Sequence, residues 1–172
     1  QRGNLVHWSL ENFWNQAHRS SSLEDMCQVQ AWIANSIEAA LERFENYYPG
    51  MMKKTFRGLE ARRLNILLLD WLDLEKSRIP FIVKASEEKG ELLLGGLRFS
   101  VRIDRVDRLE HSNHLILLDY KSRTGNSSTS WFRQRITEPQ LPLYAVNLWE
   151  GTLAAIAFAQ VHNRECSFKG IQ

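Results

Sequence analysis

The sequence predicts a layered α/β fold, α+β in its order of elements, with a central mixed sheet flanked by helices. Three observations predict it. Apolar residues recur at helical spacing through residues 5–77. The spacing then changes to every second residue. A single helical segment stands before the final predicted strand.

Residues 5–19 read as a helix because Leu5, Trp8, Leu10 and Phe13 recur at roughly helical spacing. The serines at 20–22 punctuate it, and Ser22 with Asp25 resembles a capping box opening a second helix over 23–47. In that helix Val29, Ile33, Ile37, Ala40, Leu41 and Phe44 form one stripe, and Pro49-Gly50 ends it. A third helix over 55–77 carries Phe56, Leu59, Ile66, Leu67, Trp71 and Leu74, with a basic first half that reads as a solvated face. Short strands follow at 80–85 and 91–94, separated by a turn at 87–90. Over 97–107 the alternation is clear, with Leu97, Phe99, Val101 and Ile103 on one face. The apolar run in 115–121 suits the centre of a sheet. Residues 122–137 are rich in Ser, Thr and Gly and too long for an ordinary connection, so this loop reads as mobile or functional. A helix from 139 or 140 to 149 and a strand over 153–161 complete the prediction.

With 172 residues, 44% hydrophobic and 24% charged, the chain is expected to be one domain: a helical part over 1–78 and a sheet core over 79–172. That composition excludes collagen-like and disordered classes. No apolar stretch approaches the roughly 18 to 20 residues of a membrane span, so no membrane partner is expected. Cys27 and Cys166 cannot build a disulfide framework and read as free buried thiols of a reducing cytoplasm. The first residue is Gln, which suggests a fragment of a longer protein. The net charge of +2 divides unevenly, at −3 over residues 1–50 and +4 over 51–150.

The chemistry concentrates in Arg102-Ile103-Asp104-Arg105-Val106-Asp107 and, after eleven intervening residues, Asp119-Tyr120-Lys121. Asp119 and Lys121 lie two apart in a strand and share a face. Charges at the end of an apolar strand are costly unless they serve a metal or each other. If strand register brings Asp104 beside Asp119, two carboxylates suit Mg²⁺ or Mn²⁺, with Lys121 next to the reacting phosphate. The competing reading is an ion pair at a strand end. Asp107 reads as a structural partner of Arg105, and Glu60 and Glu87 as surface charges.

Four motifs in order widen the view: Gly3, His7 and Glu11 at four-residue spacing; Ile103-Asp104-Arg105 with Asp107; Asp119-Tyr120-Lys121-Ser122; and Gln140 with Tyr144. Together they resemble the PD-(D/E)xK nuclease superfamily, within it the RecB/AddB-like nuclease domain of bacterial helicase–nuclease repair proteins. The resemblance implies a restriction-endonuclease-like core and a metal-dependent deoxyribonuclease, of exonuclease type, in DNA repair and recombination. By that resemblance His7, Asp104, Asp119 and the Tyr120 backbone hold Mg²⁺ or Mn²⁺, and Asp104, Asp119 and Lys121 are catalytic. Gln140 and Tyr144 organise the site. Glu11, one turn beyond His7 on the same helical face, is placed to support it. The chain lacks the cysteines of the iron–sulfur members, so no cluster is expected in it. The implied partners are DNA and a helicase, in the bacterial cytoplasm at the nucleoid. Phosphate contacts are expected from Arg102, Arg105, Arg123, Arg133 and Arg135. Trp131 and Phe132 either stack on an unpaired base or anchor their loop on the core. The competing functional reading is a catalytically silent docking module with the same fold.

Overall fold

A computed structural model describes residues 2–125, 128–147 and 152–171. Its elements are α1 (Arg2–Ala17), α2 (Met26–Tyr47), α3 (Lys54–Lys76), β1 (Phe81–Leu94), β2 (Leu97–Leu109), β3 (Leu115–Lys121), α4 (Gln140–Asn147), β4 (Leu153–His162) and β5 (Glu165–Ile171), with 3₁₀ turns at Ser20–Leu23 and Ser128–Phe132. The predicted end of the fourth helix at 148–149 lies outside the described residues, as do 126–127 of the polar loop.

The five strands form one sheet in the order β1-β2-β3-β4-β5. All neighbours are antiparallel except β3 and β4, which run parallel. A parallel pair needs a crossover rather than a hairpin. The second 3₁₀ turn and α4 supply it. On one side of the sheet Tyr120, Ala159 and Val161 pack into the core built by α1, α2 and α3. On the other, Leu117, Ile156 and Phe158 meet Trp131, Leu141 and Tyr144 of the crossover. Alternate residues of β3 and β4 thus feed two separate apolar layers, which is why the sequences of both strands look almost continuously apolar.

Several local expectations are corrected. The N-cap of α2 is Asp25, whose carboxylate accepts from the Gln28 N–H at 3.1 Å. Ser22 instead donates its hydroxyl to the Ala17 carbonyl at 2.7 Å. The residues read as a turn at 87–90 are the middle of a single long strand β1, bulged between Val83 and Ala85. They stay extended because they pair with 101–103 of β2, a long-range constraint that overrides turn-forming composition. The true reversal is Gly95-Gly96, with φ of +59° and +82°. Strand β5 had no sequence prediction. Cys27 is exposed and Cys166 half-buried, so neither is the core thiol expected.

Strand β2 pairs with β3 only over Arg105–Arg108 and with β1 along its whole length. The far ends of β1 and β2 therefore leave the sheet as a two-stranded arm. At the opposite edge, Gly170 of β5 lies so close to β4 that a Cβ there would overlap the Ile156 carbonyl and Ala157. Gly170→Ala is expected to lower stability by about 1–3 kcal/mol, read as an earlier midpoint in thermal unfolding followed by circular dichroism.

Candidate active site

Register brings the two motif strands together. Arg105 pairs with Leu118, so the next antiparallel step sets Asp104 against Asp119. The ladder stops there. The Tyr120 N–H, next in line for a cross-strand carbonyl, donates instead to Asp104 Oδ2 at 2.7 Å. That carboxylate oxygen also lies 3.5 Å from His7 Nδ1 on α1. Helix α1 comes this close because its first turn carries Gly3, where a Cβ would lie 2.9 Å from the Ser122 hydroxyl just past β3. One turn further along α1, His7 meets the site edge-on to the Tyr120 ring, with centroids 5.8 Å apart.

The two carboxylates are shifted in opposite directions. Burial pushes the Asp104 carboxyl up, but His7 and the Tyr120 N–H outweigh it and leave its pKa below the ordinary value. Asp119 has no backbone donor to match. Burial first, then the negative charge of Asp104, push it up to about 6 against the pull of Lys121. The Lys121 ammonium lies 2.7 Å from Asp119 Oδ2 and 3.3 Å from Glu138 Oε2. Desolvation opposes its charge, yet these two carboxylates raise its pKa above the usual value. The ammonium is thus an ion-pair partner of Asp119 through its buried Oδ2.

A cavity of about 910 Å³ opens onto these groups. Gln140 and Tyr144 line it from α4. Tyr144 is buried, and its hydroxyl donates to the Arg102 carbonyl at 3.2 Å, tying the crossover to β2. Burial, and secondarily the charge of Asp119, raise the pKa of its phenol. Arg102 is exposed at the cavity wall, and Arg123, Arg133 and Arg135 are exposed on the crossover.

Other expectations fail here. Arg105 is fully buried and cannot meet DNA. Its guanidinium is paired with Glu75 and Asp107 at 2.6 Å each and donates to the Tyr120 hydroxyl at 3.1 Å. Asp107 is thus the structural partner the sequence suggested. Glu60 is buried rather than a surface charge, with Arg63 Nε 2.7 Å from its carboxylate. The Glu87 side chain lies outside the described residues. Glu11 accepts from Arg43 at 2.9 Å, and His7 turns its Nδ1 toward Asp104. At the start of α3, Arg57 is not a solvated charge but pairs with Glu38 and Glu45 of α2.

Trp131 resolves as an anchor. It is buried against Phe158, with ring centroids 4.9 Å apart, and its indole N–H donates to the Glu138 carbonyl at 3.0 Å. Phe132 is 75% exposed. Trp131→Ala is expected to cost about 3–5 kcal/mol and Phe132→Ala less than about 0.5 kcal/mol, compared by urea unfolding. Sequence reasoning missed Glu138, Glu75 and Arg43. The one available signal was Glu75 three residues before Arg78, a helical ion-pair spacing.

Acidic side chains on neighbouring strands, with a lysine on one of them, form the charged end of the cavity. A family model of the PD-(D/E)XK nuclease superfamily matches residues 1–165, and the chain belongs to that superfamily. Nucleases of the superfamily generally use Mg²⁺ or Mn²⁺. A search of curated proteins found no match. Among the described residues no helix is long and apolar enough to cross a membrane.

The donor set suits such an ion. It offers two adjacent carboxylates, whose charges act on each other, and a neighbouring imidazole. No group of three or more His, Cys, Asp or Glu side chains forms a ready-made cluster among the described residues. Water, backbone or substrate oxygens would therefore complete the coordination.

Proposed function

We propose that the chain is a Mg²⁺- or Mn²⁺-dependent deoxyribonuclease that hydrolyses phosphodiester bonds. The observation that carries this reading is the nearness of two carboxylates, Asp104 and Asp119, just past the Arg105–Leu118 pair, with His7 on the first and Lys121 on the second. Asp104, Asp119, His7 and the Tyr120 carbonyl would hold the metal. Such an ion would polarise the scissile phosphate and lower the pKa of a water, so that loss of its proton gives the attacking hydroxide. Lys121 keeps a cation beside the reacting phosphate and stabilises the charge that develops on its oxygens. Tyr144 ties the crossover wall to β2 through the Arg102 carbonyl, and Gln140 lines the same cavity. Arg102, Arg123, Arg133 and Arg135 neutralise the flanking phosphates.

The test is cleavage of linear single- and double-stranded DNA with Mg²⁺ or Mn²⁺. Lys121→Ala is expected to slow it by roughly 10²–10³-fold, and undiminished rates in both Lys121→Ala and Asp119→Ala would refute the assignment. A role in repair or recombination beside a helicase in the bacterial cytoplasm, and action as an exonuclease, extend this proposal. Their support is the order and spacing of the four motifs.

One observation favours the docking reading: the Lys121 ammonium sits on the very carboxylate that would meet the metal. Mn²⁺ titration followed by electron paramagnetic resonance separates the two. Binding that disappears in Asp119→Asn supports the nuclease, and no binding at millimolar Mn²⁺ supports docking.

A further inference from the structure

The catalytic cavity has a second wall that the hydrolytic chemistry leaves unused. Trp8 follows His7 directly on α1, and its ring lies stacked with that of Tyr47 near the end of α2, centroids 5.7 Å apart and planes 22° from parallel. The Arg43 guanidinium lies 4.7 Å from the Trp8 ring centroid, held there by Glu11. Tyr48 adds a third ring, and the β1–β2 arm brings Leu92 and Phe99 to the same cavity. Tyr47 is 65% exposed although it stacks at a cavity wall, so core packing does not account for its position.

We propose that this wall is a stacking subsite for one unpaired base of the strand being cut, and that Tyr47 makes the site prefer single-stranded over duplex DNA. The proposal rests on the nuclease reading and adds the substrate's form to it. A strand whose phosphate lies beside Asp119 and Lys121 carries a base on each flanking nucleotide, and the same cavity joins that end to the aromatic wall. An open aromatic face next to a guanidinium suits the flat, polarisable surface of a nucleobase and accepts any of the four bases. A base within a duplex has both faces covered by its neighbours and reaches such a wall only after being turned out of the stack, which costs energy.

The test measures binding without cleavage. All proteins carry Asp119→Asn, the buffer contains EDTA, and the probes are a short single-stranded oligodeoxynucleotide containing 2-aminopurine and its duplex. Tyr47→Ala is expected to weaken single-strand binding about tenfold and to leave duplex binding within about twofold. It also removes the fluorescence quenching that stacking produces. Tyr47→Phe, which keeps the ring, behaves as the parent. An oligonucleotide abasic at the contacted position binds the parent as weakly as Tyr47→Ala binds the intact strand. Unchanged single-strand affinity in Tyr47→Ala, equal loss on both probes, or no single-strand binding by the parent overturns the proposal. Failure of the nuclease reading would look different: the chain with native Asp119 would cut no DNA with either metal, while the contrast in binding persisted.

Discussion

Asp119→Asn should abolish DNA cleavage and, in the same protein without metal, raise the melting temperature at pH 7–8. The two effects have one origin. Asp119 is ionised at a position where burial and the charge of Asp104 resist ionisation, so its pKa rises from 3.8 to about 6. An acid whose pKa is higher folded than unfolded binds more protons in the folded state between those values. Stability therefore falls as pH climbs through that window, and above about pH 6 the full cost is present. The shift corresponds to at most about 3 kcal/mol, which for a chain of this size is a change in Tm of several degrees, at about 2–4 °C per kcal/mol. Asparagine removes the charge and with it the cost. The gain should shrink toward pH 4, where Asp119 is already protonated in the folded protein. Mg²⁺ should raise the Tm of the parent at pH 8, since it binds the folded state alone, and should leave the variant unmoved. Differential scanning calorimetry over pH 4–8, with and without Mg²⁺, checks all of this. A variant that melts no higher than the parent at pH 8 without metal would show that Asp119 is not under strain.

Arg105→Leu should be the most damaging single substitution away from the cavity. The guanidinium is fully buried between Glu75 and Asp107, its carbon 4.1 Å from the Trp14 ring centroid and 4.9 Å from that of Phe81. Desolvation opposes its charge, but Asp107 and Glu75 overcome this and hold its pKa far above the normal range. Arg78 bridges the same two acids at 2.5 and 2.8 Å. Two cations therefore face two anions, and leucine would leave an uncompensated buried negative charge. The expected loss is about 3–5 kcal/mol, or roughly 10 °C in Tm. Lysine should rescue little, because one ammonium cannot reproduce a guanidinium that bonds both carboxylates and the Tyr120 hydroxyl. Neutralising an acid in the same background, as in Arg105→Leu with Asp107→Asn, should recover part of the loss. A mild effect of Arg105→Leu alone would mean that the cluster contributes nothing to folding.

How much of this was legible in the sequence depends on the range of the interaction responsible. The helices were read well because spacing in Val29, Ile33 and Ile37 is a local signal, and β3 was read from its apolar run. The candidate site residues could be singled out because motif order survives in one dimension. Their meeting was not readable: the step from Arg105–Leu118 to Asp104–Asp119 is a fact of register. Residues 87–90 failed as a turn because their partners lie across a hairpin. β5 was missed because Cys166 to Ile171 lacks a clean alternation. Arg105 was misassigned to the surface because nothing local announces burial, although Arg105 and Asp107 do share a strand face. Trp131 and Glu60 teach the same lesson, since both sit in contacts made by their own local segment but are buried by distant ones.

The bond between Arg105 and Glu75 also limits how the molecule can be taken apart. Cutting before β1 would seem natural, with helices on one side and every motif strand on the other. Such a fragment would keep Asp104, Asp119 and Lys121 but expose a guanidinium stripped of Glu75 and Trp14, and Asp104 would lose the imidazole of His7. The helical half supplies the walls without which the strands cannot hold their charges. Assembly of the candidate site is therefore expected to need the whole chain, and neither half-chain should show protected amides in hydrogen exchange until the other is added.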